Sequence, residues 1–178
     1  MDFYNSIFSP KKLSGSNVHI YSALFAYEFI KYLASNIETQ QDEKPWRIGV
    51  ISPYRAQAEI INKLWEQRTE LYNNVDVQIG TVHGFQGDEC DIIITVPNTP
   101  KGLKGAPDKI FLNRKNILNV AISRARDYLF VLIPHIDTDG YENLNEIQSI
   151  GYIANKKCRT DLSIINADLV EGIIFKDS

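Results

Sequence analysis

The segment from Val77 to Asn98, VQIGTVHGFQGDECDIIITVPN, constrains the fold of this chain more than any other. A short apolar stretch enters a polar loop that contains Gly80, Gly84 and Gly87, and a second apolar stretch, Ile92–Val96, follows the loop. Two buried strands around a glycine-rich polar loop are typical of an α/β sheet that presents ligand-binding groups at its strand ends. The segment therefore predicts part of an α/β domain with a ligand site at this loop.

The rest of the chain alternates between strand-like apolar stretches and segments with helical spacing, which predicts a parallel sheet with covering helices. The predicted helices cover Ser22–Ile37 (with Ser22 as N-cap), Tyr54–Leu71, Arg114–Arg126 and Tyr141–Ala154. The predicted strands cover Ile48–Ile51, Val77–Ile79, Ile92–Val96 and Tyr128–Ile133, and Pro97–Asp108 is predicted to be a loop.

The length of 178 residues is that of one domain. We predict an irregular N-terminal segment over residues 1–17, the α/β domain over 18–157 and a C-terminal extension over 158–178. In that extension, Leu162–Ile165 and Ile173–Phe175 are predicted to pair as a hairpin.

Three segments resemble motifs of one enzyme family. TVHGFQGDECDIII, which begins at Thr81, resembles motif V of superfamily 1 helicases, written in one branch as T-x-x-x-F-Q-G-x-E-x-D before an apolar strand. RIGVISPYRAQ (Arg47–Gln57) resembles motif IV, and NVAISRAR (Asn119–Arg126) resembles motif VI, in family order. Ile117 departs from motif VI, where the family usually has arginine. The resemblance implies the second RecA-like motor domain, called 2A, of a helicase related to RNA-surveillance and DNA-replication helicases.

The implied fold is a RecA-like parallel sheet with helices on both faces, similar to P-loop NTPases but without the P-loop. No G-x-x-x-x-G-K-S/T phosphate loop occurs in the sequence. The chain is therefore expected to be the C-terminal motor lobe of a longer ATP-dependent DNA or RNA helicase. ATP with Mg²⁺ would be bound mainly by an N-terminal RecA-like domain, single-stranded nucleic acid would cross both lobes, and the lobe alone would be inactive.

The resemblance assigns the nucleotide site to motifs V and VI. Arg124 is the predicted catalytic residue, because the matching arginine of the family contacts the γ-phosphate, and it lies on the flank of the predicted helix. Glu89 would accept a hydrogen bond from a ribose hydroxyl or orient Arg124, and Gly87 would let the backbone approach the nucleotide closely. Gln86 and Arg126 complete the ATP-binding set, with a loop-bracing amide and a structural ion pair as their respective alternatives.

The nucleic-acid-binding residues are assigned to motif IV and the start of motif V. Ser52 either binds a backbone phosphate or caps the helix that follows it. Pro53 suits the first turn of that helix, and Tyr54 offers a ring or a hydroxyl. Thr81 and His83 begin the motif V loop, where the family contacts the nucleic-acid backbone.

Charge and composition exclude several other classes. The net charge of −3 and the pI near 5.6 are not those of a strongly basic nucleic-acid binder, but a translocating motor grips its strand through few phosphate contacts. Two cysteines form no disulfide framework and no metal-ligand cluster. Asp88-Glu89-Cys90-Asp91 precedes its apolar strand, whereas a magnesium-binding acid would follow one, so no metal site is predicted. No apolar stretch reaches membrane length, and an intracellular protein is expected, cytoplasmic or, in a eukaryote, nuclear.

Two alternative functions remain open at the level of sequence. A non-catalytic, helicase-like module for nucleic-acid or partner binding would need no phosphate loop and no role for Arg124. A different α/β nucleotide enzyme would have a complete site within these residues and would bind ATP by itself. Binding of ATP and of single strands by the chain distinguishes the alternatives.

Overall fold

The computed structural model describes residues 11–39, 44–85, 89–97, 119–120, 123–133, 144–156 and 165–175. Its elements are, in chain order, β1 (Lys11–Leu13), β2 (Ser16–Val18), α1 (Ile20–Asn36), β3 (Trp46–Ser52), α2 (Arg55–Glu66), β4 (Val75–Thr81), a 3-10 helix (Val82–Phe85), β5 (Cys90–Thr95), β6 (Ala125–Val131), α3 (Asn145–Lys156) and α4 (Ala167–Ile174).

Strands β3 to β6 form one parallel sheet in the order β4-β3-β5-β6. This arrangement confirms the predicted α/β class and is that of a RecA-like domain. Because the strands are parallel, their first residues lie at one edge, here called the amino edge, and their last residues lie at the opposite carboxyl edge. The seven-residue strand β3 separates these edges by about 20 Å at 3.3 Å per residue.

Apolar side chains bury both faces of the central strands β3 and β5, as is usual for parallel sheets, whereas the outer strand β6 is largely exposed. Helices α1 and α2 cover the first face, where their core residues include Ile30 and Ile61 and the strands contribute Val50 and Ile94. The 3-10 helix and the helical residue Val120 cover the second face. There they form a cluster, called the Phe85 cluster below, of Ile51, Val82, Phe85, Cys90 and Ile93 with Val120 and Ala125 packed against it.

The N-terminal region departs from the prediction. Residues 11–18 form an antiparallel hairpin of β1 and β2, in which Lys11 pairs with Val18. Ser14 and Gly15 have φ angles of 50° and 79°, the pair of positive values that a tight two-residue hairpin turn requires. The predicted irregular segment is therefore wrong for residues 11–17, and residues 1–10 lie outside the described part.

The two long helices have different limits from those predicted. Helix α1 begins at Ile20 with His19 as N-cap, and the Ser22 hydroxyl lies 2.5 Å from His19 Nδ1 rather than capping the helix. Helix α2 ends at Glu66 instead of Leu71. Arg68 Nη1 donates to the Trp65 carbonyl at 2.5 Å, which occupies the acceptor that the next helical turn would need.

The predicted helix Arg114–Arg126 ends early. Asn119 and Val120 are helical, Ser123 and Arg124 form a turn, and β6 begins at Ala125. Pairing with β5 explains the change, because Cys90 N–H donates to the Arg124 carbonyl at 2.9 Å and Ala125 is the register partner of Cys90. Arg124 therefore lies in a turn, not on a helix flank. Residues 98–118, with most of the predicted loop Pro97–Asp108, and residues 121–122 lie outside the described part.

The predicted C-terminal hairpin is also wrong over the described residues. Residues 167–174 form α4, and the Asn166 side chain caps it by accepting from Asp168 N–H at 3.1 Å. Phe175 contacts the Phe25 ring on α1, with ring centres 6.5 Å apart. Residues 157–164 lie outside the described part. The preceding helix is α3 (Asn145–Lys156), close to the predicted Tyr141–Ala154.

Candidate functional site

The amino edge of the sheet brings the start of β5, which follows Glu89, next to the Arg124 backbone. Glu89 precedes the first residue of β5 and is exposed, and Cys90 N–H donates to the Arg124 carbonyl. The pairing of β5 with β6 thus joins motif V to motif VI, although 34 positions separate Cys90 from Arg124 in the sequence (124 − 90 = 34). Gln86 and Gly87, the other motif V residues predicted at the nucleotide, lie outside the described residues.

The Arg124 side chain is suited to an anionic ligand. It is partly buried, and its Nε is buried without a hydrogen-bond partner within the described part of the structure. Arg68 Nε also has no hydrogen-bond partner among the described residues, but that guanidinium stacks on the Trp65 ring at 3.8 Å. A buried N–H donor without an acceptor costs free energy, which a phosphate oxygen would relieve. The donor therefore fits the triphosphate that the resemblance implies.

Arg126 has a structural partner. Its Nη1 lies 3.5 Å from Asp91 Oδ1, with 59% of the arginine side chain and 9% of the aspartate side chain exposed. Asp91 Oδ2 also accepts from Arg47 N–H at 2.8 Å, which ties β5 to β3. The register of β5 and β6 is irregular at this point, as at a bulge that redirects a side chain. The ion-pair alternative for Arg126 is thus present in the structure.

The carboxyl edge brings the start of motif V next to the motif IV residue that ends β3. Ser52 and Thr81 are register partners at the last positions of β3 and β4. Thr81 is partly buried, and His83 in the 3-10 helix is exposed. The predicted nucleic-acid residues are therefore neighbours, at the edge opposite Arg124 and Glu89.

Ser52 and Tyr54 have structural contacts at this edge. Ser52 is 1% exposed, and its hydroxyl accepts from Tyr54 N–H at 3.2 Å. Tyr54 is the N-cap residue of α2, so this bond fixes the turn before the helix and is not a cap of the helix itself. The Tyr54 ring packs against Leu144 and Ile147, and burial raises the pKa of its hydroxyl. The phosphate contact predicted for Ser52 stays a prediction, and in this structure its buried hydroxyl already accepts a hydrogen bond. Pro53 is partly buried between them.

Two residues with roles at these edges were missed by the sequence analysis. Phe85 is fully buried between the two edges, and the signal was an aromatic residue within an otherwise polar loop. Asp91 was considered only as a metal ligand, although a carboxylate inside the strand CDIIIT predicts a charged partner.

Among the described residues, no group of three His, Cys, Asp or Glu side chains could hold a metal ion. The same residues include no helix long and apolar enough to span a membrane.

Comparison with known proteins gives one matching family and a set of helicases. The AAA domain family matches residues 5–135. The chain is 42% identical over 87 residues to DNA polymerase alpha-associated DNA helicase A of Saccharomyces cerevisiae, covering 48% of this chain and 12% of that protein. It is 29% identical over 150 residues to probable helicase senataxin of Mus musculus, covering 82% of this chain and 5% of that protein. It is 34% identical over 85 residues to regulator of nonsense transcripts 1 homolog of Drosophila melanogaster, covering 47% and 7%. The aligned part thus spans 5% to 12% of these relatives.

Proposed function

The chain belongs to the AAA domain family and is a superfamily 1 helicase domain, and from this membership we propose that it is the second RecA-like lobe, 2A, of an ATP-dependent helicase. The observation that carries the proposal is the bond from Cys90 N–H to the Arg124 carbonyl, which joins the strand that follows Glu89 to motif VI. With it goes the buried Arg124 Nε, which has no hydrogen-bond partner among the described residues. A first RecA-like lobe in the same protein would hold ATP and Mg²⁺ against this edge.

At the amino edge, Arg124 donates to the terminal phosphate oxygens and stabilises the charge that develops on them. Such a guanidinium is worth about 10³–10⁵ in turnover, roughly 4–7 kcal/mol, in related phosphoryl-transfer enzymes. Glu89 accepts from the ribose or holds the Arg124 guanidinium. ATP bound with Mg²⁺ supplies the phosphoanhydride bond whose hydrolysis drives translocation.

At the carboxyl edge, Thr81 and His83 contact the backbone of a single strand of DNA or RNA. Both lie at the open end of β4, where an extended ligand reaches the side chains without disturbing the sheet. Closure of the two lobes moves these contacts relative to those on the first lobe, and reopening completes a step. Each state is favoured by its own contacts, so the ligands shift an equilibrium between open and closed lobes.

We place the start of this lobe at the β1–β2 hairpin and not at residue 18. The Ser16 hydroxyl accepts from Ala56 N–H at 3.2 Å and so caps the first turn of α2, which follows motif IV. Val18 is buried, so the hairpin contributes to the core. The lobe then covers residues 11–156 together with α4.

The experiment that tests the proposal is an ATPase assay of the protein that carries both lobes. Arg124→Ala should reduce kcat at least about a thousandfold and weaken nucleotide binding only modestly, because the contact is stronger in the transition state. Arg126→Ala should have a smaller effect. Arg55→Ala is the matched control, since that side chain is 79% exposed and pairs only locally with Glu59 at 2.9 Å.

The melting temperature separates lost chemistry from lost folding. Arg124→Ala should melt like the wild type, because its side chain is only partly buried and its Nε makes no bond among the described residues. Wild-type turnover in Arg124→Ala would contradict the lobe assignment and favour a non-catalytic binding module. Turnover by the chain alone, abolished by Arg124→Ala, would favour a complete α/β nucleotide enzyme.

A further inference from the structure

The Phe85 ring packs against two glycines, Gly49 and Gly80, on neighbouring strands. Its side chain is 0% exposed at the end of the 3-10 helix. A Cβ added at Gly80 would lie 3.2 Å from Phe85 Cε2 and 3.5 Å from Phe85 Cδ2. A Cβ at Gly49 would lie 2.9 Å from Phe85 Cε1. The ring therefore occupies space that any other residue at these two positions would crowd.

The same ring connects to both edges of the sheet. Towards the carboxyl edge, the 3-10 helix that ends in Phe85 begins directly after Thr81 and contains His83. Towards the amino edge, Cys90 Sγ would lie 3.0 Å from the same Cβ added at Gly49. Cys90 N–H in turn donates to the Arg124 carbonyl at 2.9 Å.

The residues on either side of Arg124 belong to the same cluster. Val120 precedes the Arg124 turn and Ala125 follows it, and both pack against the Phe85 cluster. A shift of the Phe85 ring therefore presses on the backbone before and after Arg124 as well as on Cys90. Because close-packed side chains are nearly incompressible, such a shift is passed on to the neighbouring residues rather than absorbed.

We propose that Phe85 is a positioning residue that couples the two edges, so that a single strand bound at Thr81 and His83 fixes the backbone that carries Arg124. The inference rests on the proposed function, because it assigns the strand to the carboxyl edge. Coupling between two sites is reciprocal, so a nucleotide at Arg124 changes the strand affinity by the same factor. Neither ligand touches Phe85.

The reactivity of the Cys90 thiol measures this coupling directly. Cys90 is buried, so a thiol reagent labels it only when the Phe85 cluster opens. The chain carries Cys158→Ser so that Cys90 is its only thiol. Binding of fluorescein-tagged oligo(dT) and oligo(U) to the chain is followed by anisotropy. The rate at which the thiol reagent labels Cys90 is then measured with and without a saturating concentration of untagged strand. We expect saturation to slow labelling at least about fivefold, the lower end of typical couplings.

Two variants remove the coupling in different ways. Phe85→Leu removes the ring and should reduce the effect of the strand on the labelling rate to less than about twofold. Gly80→Ala displaces the ring by a few tenths of an ångström without removing it, so it should weaken the effect and keep the fold. The double variant should be no worse than Phe85→Leu alone, because leucine leaves room for the added methyl group.

Phe25→Leu is the matched control. It makes the same change at a buried ring on α1, on the opposite face of the sheet, and should retain the fivefold effect. A strand that binds the wild type without changing the Cys90 rate overturns the inference and leaves the proposed function standing. The same effect in Phe85→Leu and Gly80→Ala as in the wild type also overturns the inference. A wild-type chain that binds neither strand overturns the inference, because the strand contacts it assigns to Thr81 and His83 are then missing, whereas the ATPase assay of the two-lobe protein decides the proposed function.

Discussion

At the scale of single residues, the structure separates side chains that can meet a ligand from those whose bonds are already made. Arg124 has a buried nitrogen without a partner among the described residues, and His83 is exposed. Ser52 holds the backbone at the start of α2, and Arg126 pairs with Asp91. Motif membership alone did not distinguish these two groups, because a motif residue can serve the fold as well as the ligand.

Ser52→Ala tests the structural role of the Ser52 hydroxyl. We expect it to lower the free energy of unfolding by about 0.5–1.5 kcal/mol, the usual net contribution of one hydrogen bond. Affinity for a single strand should stay within about twofold, since the hydroxyl is buried and already accepts from Tyr54 N–H. Urea unfolding and anisotropy give the two quantities.

Ser35→Ala is the control for this change, because Ser35 lies on the exposed side of α1. Its free energy of unfolding should stay within about 0.5 kcal/mol of the wild type. A Ser52→Ala variant with normal stability and a tenfold weaker strand affinity would restore the phosphate contact predicted from the sequence.

At the scale of elements, a buried amide fixes where α1 and α2 begin. Gln57 is fully buried in the first turns of α2, accepts from His19 N–H at 2.8 Å and donates to the His19 carbonyl at 3.2 Å. His19 is the N-cap of α1, and Ser16 accepts from Ala56 N–H nearby. The motif IV glutamine thus joins the hairpin, α1 and α2 at the carboxyl end of β3.

Gln57→Ala should lower the free energy of unfolding by about 1–3 kcal/mol, because the buried His19 N–H loses this acceptor. Gln67→Ala is the matched control, since Gln67 is exposed at the end of α2 and should unfold like the wild type. The measurement is urea unfolding of both variants. An equal, small change in the two would show that the His19–Gln57 pair does not hold these elements together.

At the scale of the whole molecule, the loop between α2 and β4 is tied to α1. Lys31 on α1 lies 2.9 Å from Glu70, and its ammonium also lies 5.4 Å from the Tyr27 ring centre. The hydrogen bond from Lys31 lowers the pKa of Glu70 from 4.5 to about 2. The link joins residues 39 positions apart (70 − 31 = 39) at the amino-edge end of the helices.

Acid titration tests that link. A carboxylate with a lowered pKa in the folded state stabilises the fold above its unfolded pKa of 4.5, and this contribution is lost as the pH falls towards 2. The melting temperature of Glu70→Gln should therefore fall less steeply than that of the wild type between pH 4.5 and 2. Glu66→Gln is the control, because Glu66 is exposed and accepts from the Asn62 amide, and it should keep the wild-type slope. Identical slopes for all three proteins would contradict the link.

The sequence by itself determined the sheet and the family. Apolar stretches such as Ile48–Ile51 and Ile92–Val96 predicted strands that the structure contains, with limits shifted by one to three residues. Strands buried on both faces have a strong local signal, because nearly every residue in them must be apolar. Motif order fixed the helicase family for a similar reason, since each motif is continuous in the chain and can be recognised without knowing its neighbours.

Only the tertiary structure decided which residues meet. Arg124 was predicted on a helix flank, and the pairing of Cys90 with Ala125 places it in a turn instead. Three contacts depend on the register of strands and helices that are far apart in sequence. They are the Asp91–Arg126 ion pair, the Gln57–His19 hydrogen bonds and the packing of Phe85 against Gly49 and Gly80. Local spacing carries no information about such register, because a shift of one residue leaves each segment's own pattern unchanged while exchanging all of its partners.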